Sequence, residues 1–245
     1  MIDFNSRSQL SDRINYYIDK SLENKNRKQP PRSYLGGSRL GVECERALQY
    51  EFYNAPKDEG KDFSGRTLRI FDRGKWVEDY LIIILRKAGY DLKTTNKAGY
   101  QFGFKTLDDK IQGHCDGVFM SGPNTMVYPA LWENKGIQEK DWKALVKEKL
   151  KKKYPVYYSQ TQFYQKYFNL TENPAIFSAV NMNTMEIYWE YIPHDPDFTL
   201  LLDAKGKRII AACEAGELLP RISQDPSFFK CKHFCSYPER CFKND

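Results

Sequence analysis

The sequence predicts an α/β fold in which helices flank a central mixed sheet. Segments with helical and strand periodicity alternate in the order helices, three strands, helices, two strands, helix. Hydrophobic residues make up 41% of the 245, enough for one substantial core. No internal repeat or long linker forces a boundary, so one domain over 1–245 is expected. Its parts are a helical N-terminal section (1–60), a core (61–194) and a C-terminal section (195–245).

Leu10, Ile14, Tyr17, Ile18 and Leu22 share one face of a helix predicted over 10–24, ended by the polar, proline-bearing stretch 25–32. A second helix is expected over 38–53, carrying Cys44 and Arg46. A third runs over 64–88, carries Gly74 and Glu78, and stops at Gly89. Residues 100–106, 110–120 and 125–133 alternate or run apolar between Gly, Asp and Pro signals, which predicts a strand meander. Helices follow over 141–152 and 156–168, separated by Pro155. Two strands, 175–181 and 185–192, turn at Asn183-Thr184, and a helix over 197–215 ends at Gly216.

The most informative stretch is Ile111-Gln112-Gly113-His114-Cys115-Asp116-Gly117, followed by Ala130-Leu131-Trp132-Glu133-Asn134-Lys135. Side chains two apart on a strand share a face, so Glu133 and Lys135 can converge with Asp116 from the neighbouring strand. Two acids and a lysine on one sheet face suit a divalent-metal site for phosphate-ester hydrolysis. The same residues also fit a turn at Asp116-Gly117 and a solvated pair on an amphipathic strand.

No apolar run approaches the roughly 20 residues of a membrane span, and residues 1–9 are too polar for a secretory signal, so a cytoplasmic chain is expected. The net charge of +6 permits a nucleic-acid partner. Lys143, Lys147, Lys149, Lys151, Lys152 and Lys153 crowd the segment after the candidate site. They read as a solvated helix face or, beside a phosphodiester-cleaving site, as a grip on DNA phosphates. Tyr154, Tyr157, Tyr158, Phe163, Tyr164, Tyr167 and Phe168 follow; at helical spacing most belong to a core, although some could stack bases.

The order of motifs resembles the PD-(D/E)XK nucleases, and within them the RecB-like exonucleases that include AddB and the CRISPR-associated iron-sulfur enzymes. Gly74-Lys75-Trp76-Val77-Glu78 is similar to the first family motif and Gly113-His114-Cys115-Asp116-Gly117 to the second. Glu133-Asn134-Lys135-Gly136 is similar to the third, and Gln160-Thr161-Gln162-Phe163-Tyr164 to the glutamine and tyrosine motif that follows.

The resemblance implies a restriction-endonuclease-like core in which Asp116, Glu133 and the backbone carbonyl of Asn134 ligate Mg²⁺ or Mn²⁺. Hard oxygen ligands suit those ions. Lys135 would orient or deprotonate the attacking water, or stabilise charge on the phosphate oxygens. Glu78 stands where many iron-sulfur relatives carry histidine, which leaves the number of metal ions open. Gln160 and Tyr164, four apart on one helix face, would support the site and touch DNA. His114 reads as a structural or substrate-contacting residue.

Cys231, Cys235 and Cys241 cluster near the C-terminus. Clustered thiols in a reducing compartment usually bind metal. The segment around Cys44 resembles the N-terminal cysteine segment of the iron-sulfur relatives, which implies that the four cysteines hold a [4Fe–4S] cluster and clip the chain ends together. The first gap of the trio holds three residues where these relatives usually have two. Zinc, with His233 as a further candidate ligand, therefore stays open. Cys115 and Cys213 read as small buried residues.

The implied activity is a metal-dependent DNA exonuclease or related deoxyribonuclease, in recombination, repair or phage DNA metabolism. Other readings are an RNA-processing nuclease and a non-catalytic iron-sulfur or zinc DNA-binding subunit. No Walker-type loop occurs, so a helicase or recombinase partner would supply any motor, and a homo-oligomer is compatible with the sequence.

Overall fold

The computed structural model describes residues 7–243. In chain order the elements begin with α1 (Arg7–Arg27), β1 (Leu35–Gly36), a 3₁₀ turn (Gly37–Arg39), α2 (Glu45–Phe52) and α3 (Gly65–Lys87). Next come β2 (Asp91–Lys93), β3 (Gly103–Thr106), β4 (Ile111–His114), β5 (Gly117–Ser121) and β6 (Ala130–Ile137). Then follow α4 (Glu139–Glu148), α5 (Leu150–Lys153), α6 (Pro155–Tyr167), β7 (Ala175–Asn181) and β8 (Ile187–Ile192). The chain closes with α7 (Pro196–Ala215), α8 (Phe229–Phe234) and α9 (Pro238–Lys243).

The five-stranded sheet has the order β2-β5-β6-β7-β8. Its β6–β7 pair is parallel and the others antiparallel, so the crossover between β6 and β7 carries α4, α5 and α6. One face, with Phe119, Trp132, Ile176 and Val180, packs on Leu81, Ile82 and Leu85 of α3. The other, with Leu131, Phe177, Ala179 and Ile192, joins α6 and α7 in the larger core. A second sheet, β1-β4-β3, lies against α6 through Phe104 and approaches Gly206 of α7 through Ile111.

Where capping chemistry is explicit, sequence and structure agree. Ser64 caps α3 by accepting the Thr67 N–H at 3.2 Å. Asp195 does the same for α7 with Phe198 N–H at 3.0 Å, and Gly216 ends that helix in the left-handed region.

Four expectations are corrected. The helix over 38–53 is a 3₁₀ turn followed by α2, and Cys44 is the N-cap of α2. The strand over 110–120 is two strands in different sheets, because the chain leaves β4 at Cys115-Asp116 to enter β5. The strand over 125–133 begins only at Ala130, after a loop with a cis Tyr128-Pro129 bond, and runs on to Ile137. Helices do separate at Pro155, which starts α6 where its missing N–H costs nothing, but the helix over 141–152 is itself split into α4 and α5 by a break at Lys149, φ +69°.

Gly113 in β4 leaves room for the aromatic layer over α6. A Cβ there would stand 2.6 Å from Phe104 Cε1 and 2.8 Å from Tyr164 Cε1. Gly113→Ala is expected to cost about 1–3 kcal/mol by overpacking, read as a lower urea midpoint.

The C-terminal section is tied to α2 and the loop after it by polar contacts. The buried Gln49 amide donates to Glu217 O at 2.8 Å and accepts from Leu219 N at 2.7 Å. Asp58 accepts the Glu239 and Arg240 N–H groups at the start of α9, and the Tyr50 and Tyr237 rings pack 5.2 Å apart.

Candidate active site

Glu133 and Lys135 alternate with Trp132 and Asn134 along β6, so the two pairs face opposite ways. On the far face Trp132 Nε1 donates to Ser178 Oγ at 2.9 Å, and that hydroxyl donates to Asn134 Oδ1 at 2.8 Å. This buried relay fixes the strand. On the near face Glu133, 1% exposed, takes Gln160 Nε2 of α6 on Oε2 at 2.7 Å.

Lys135 Nζ lies 3.3 Å from Glu133 Oε2, 3.0 Å from Asn134 O and 3.7 Å from Asp116 Oδ2. Asp116 sits in the break between β4 and β5, and its Oδ2 accepts Asn134 N–H at 2.8 Å. Glu78 enters from α3, holding Lys75 Nζ at 2.7 Å.

Three carboxylates thus converge around one lysine. Burial first, then the charge of Asp116, holds the Glu78 carboxyl above its ordinary range and Glu133 well above it. Burial opposes the charge on Lys135, but Asp116 and Glu133 outweigh it and raise the ammonium. Glu133 Oε1 is buried without a hydrogen-bond partner. An orphaned carboxylate oxygen amid surplus negative charge fits a hard divalent cation. Asp116, Glu133, Glu78 and the Asn134 carbonyl are the groups that could hold one. No three His, Cys, Asp or Glu side chains among the described residues are closed to metal-binding geometry.

No family model matches the chain, and no curated protein matches it by sequence. Among solved structures it superposes on an alkaline exonuclease from Laribacter hongkongensis with a TM-score of 0.51 and 13% identity, covering 75% of this chain and 89% of that one. The complex of that enzyme with dAMP gives a TM-score of 0.50 and 14% identity, again over 75% and 89%. The likeness shows a shared fold. It agrees with the nuclease-like α/β architecture predicted from the sequence.

Of the other residues singled out in the sequence, Gln160 contacts Glu133 directly. Tyr164 is buried beside it, hydrogen-bonded to Ser38; burial first, then Glu133, raises its phenol. His114 is exposed, on the smaller sheet against Gly103. The lysine run is largely neutralised: Lys151, Lys152 and Lys153 pair with Asp195, Glu148 and Asp141, and Lys149 lies over the Tyr188 ring. Cys115 and Cys213 are buried.

Sequence reasoning missed Ser38 and placed Tyr157 only among general aromatics, although its ring lies 5.5 Å from Lys135 Nζ. The signal for Tyr157 was its spacing, three before Gln160 and seven before Tyr164 on one helix face. Phe71 was also missed. It is exposed, packs on Phe63 at 5.1 Å, and stands seven residues before Glu78 on the same stripe of α3.

Cys44, Cys231, Cys235 and Cys241 surround one cavity of about 10 Å³, room for roughly one water or ion. Burial first, then the other three thiols, pushes Cys235 up to about 11. Tyr50 lines the same cavity, and its buried hydroxyl has no partner. Four thiols lining one cavity suit a soft metal centre.

No helix among the described residues is long and apolar enough to cross a membrane.

Proposed function

We propose that this chain is a divalent-metal-dependent deoxyribonuclease that hydrolyses DNA phosphodiester bonds as an exonuclease. The observation that carries the reading is buried Glu133, one carboxylate oxygen unpartnered, beside Asp116, Glu78 and Lys135. Asp116, Glu133 and the Asn134 carbonyl would hold Mg²⁺ or Mn²⁺, and Glu78 would complete this set or serve a second ion. When bound, the ion supplies Lewis-acid charge at the scissile phosphate.

The chain's own groups do the rest. Gln160 fixes the Glu133 carboxylate by its 2.7 Å hydrogen bond to Oε2, which leaves Oε1 without a protein partner. Lys135 brings a cation within 4 Å of both Asp116 and Glu133, where it stabilises charge growing on phosphate oxygens. Phe71 and Phe63 offer an exposed aromatic surface on which a base could stack. DNA as substrate is supported by the shared fold with an alkaline exonuclease solved with dAMP. A separate helicase or recombinase would supply unwinding.

The test compares end-labelled linear DNA, circular DNA and RNA with Mg²⁺, Mn²⁺ or EDTA. Linear DNA is expected to be degraded from its ends with either metal, and EDTA to abolish degradation. Failure to cleave any substrate with either metal would sink the proposal.

The four cysteines are proposed to hold a metal centre, either [4Fe–4S] or zinc. The visible spectrum and metal content of anaerobically purified protein decide between them.

A further inference from the structure

The first helix is mounted the wrong way round for a helix serving its own core. Its polar side faces α3: Asp19 pairs with Arg69 at 3.0 Å, and Glu23 accepts the Gly65 N–H at 3.1 Å. The contact is close, since a Cβ on Gly65 would lie 2.3 Å from Asp19 Cα. The apolar stripe points outward, with Leu10 56%, Ile14 52%, Tyr17 72% and Ile18 42% exposed. A stripe at this spacing normally marks the buried face of a helix.

A matching surface lies on α3. Trp76, Tyr80 and Ile83, at i, i+4 and i+7, are 69%, 53% and 51% exposed on the side away from the sheet. The spacing from Leu10 through Ile14 to Tyr17 is the same. With about 200 Å² for each large apolar side chain, the seven residues expose roughly 800 Å² per copy, the area a standard interface takes from each partner. Charge agrees as well. Arg13 borders the α1 stripe and Asp72 the α3 stripe, both exposed and neither in an ion pair among the described residues.

We propose that the α1 stripe docks on the Trp76, Tyr80 and Ile83 face of α3 in a second copy of this chain, and reciprocally, forming a two-fold dimer. Each copy offers both halves of the contact, so two symmetric operations bury all four stripes and set Arg13 beside the other copy's Asp72. The inference rests on surfaces outside the candidate active site and stands or falls independently of the nuclease reading.

Light scattering after size exclusion should give twice the 28.8 kDa of the chain at micromolar concentration. Tyr17→Glu and Trp76→Glu should each weaken association by at least about 30-fold. Both positions are exposed, so far-UV circular dichroism should not move, nor should the thermal midpoint measured at a concentration where wild type too is monomeric. Mixing the two variants should recover dimer at lower concentration than either alone, because one of the two reciprocal contacts is then intact. A wild-type monomer at tens of micromolar, an assembly of three or more copies, a dimer insensitive to both substitutions, or no recovery on mixing would each overturn the proposal.

Discussion

Lys135→Met is expected to lower the rate of DNA cleavage by about 10³-fold or more while leaving divalent-ion binding in place. Among the described residues the lysine is the one cation within 4 Å of both Asp116 and Glu133, and methionine keeps its length and apolar stem without the charge. Mg²⁺ titration by calorimetry separates the two effects: unchanged affinity with lost turnover assigns Lys135 to the reacting phosphate. Lost affinity with lost turnover would instead make it a support for the carboxylates. Gln160→Ala is the natural control, since it frees Glu133 Oε2 without altering net charge.

Cys44→Ser is expected to carry the largest cost in stability. If the four thiols share a metal, its ligation closes the loop from residue 44 to the C-terminal trio, and cross-links of that length are worth about 4–5 kcal/mol in the chain-entropy account. For a domain of this size that corresponds to a fall of about 10–15 °C in thermal midpoint. Chelation should lower the wild-type midpoint by a similar amount and leave the variant unmoved. Equal midpoints for wild type, variant and chelated protein would mean that the hydrogen bonds of Gln49 and Asp58 hold the C-terminal section alone.

Elements punctuated by local chemistry were legible in the sequence. The third helix was bounded by Ser64 and Gly89, and the seventh was ended by Gly216, because capping depends on neighbours in the chain. The third motif was legible as chemistry but its strand was misplaced: the apolar look of 125–133 hid a turn at Tyr128-Pro129. The true strand is buried on both faces, so it shows no alternation.

The convergence of Asp116 with Glu133 was readable from strand spacing, while the contacts that position them were not. Gln160 reaches Glu133 across 27 residues and Asp58 caps a helix about 180 residues away. Such pairings depend on the assembled fold. The ion pairs of the lysine run were hidden for the same reason, since its acidic partners Asp141 and Asp195 lie outside the run itself.

The alternation of β6 has a consequence for how the chain tolerates change. Glu133 and Lys135 on one side carry the proposed chemistry, whereas Trp132 and Asn134 on the other carry the Ser178 relay that holds the strand in place. A one-residue slip would exchange those faces and put an indole where a carboxylate belongs. Substitutions along these four consecutive positions should therefore sort by parity: odd positions lose turnover in a folded protein, and even positions lose the fold first and turnover with it.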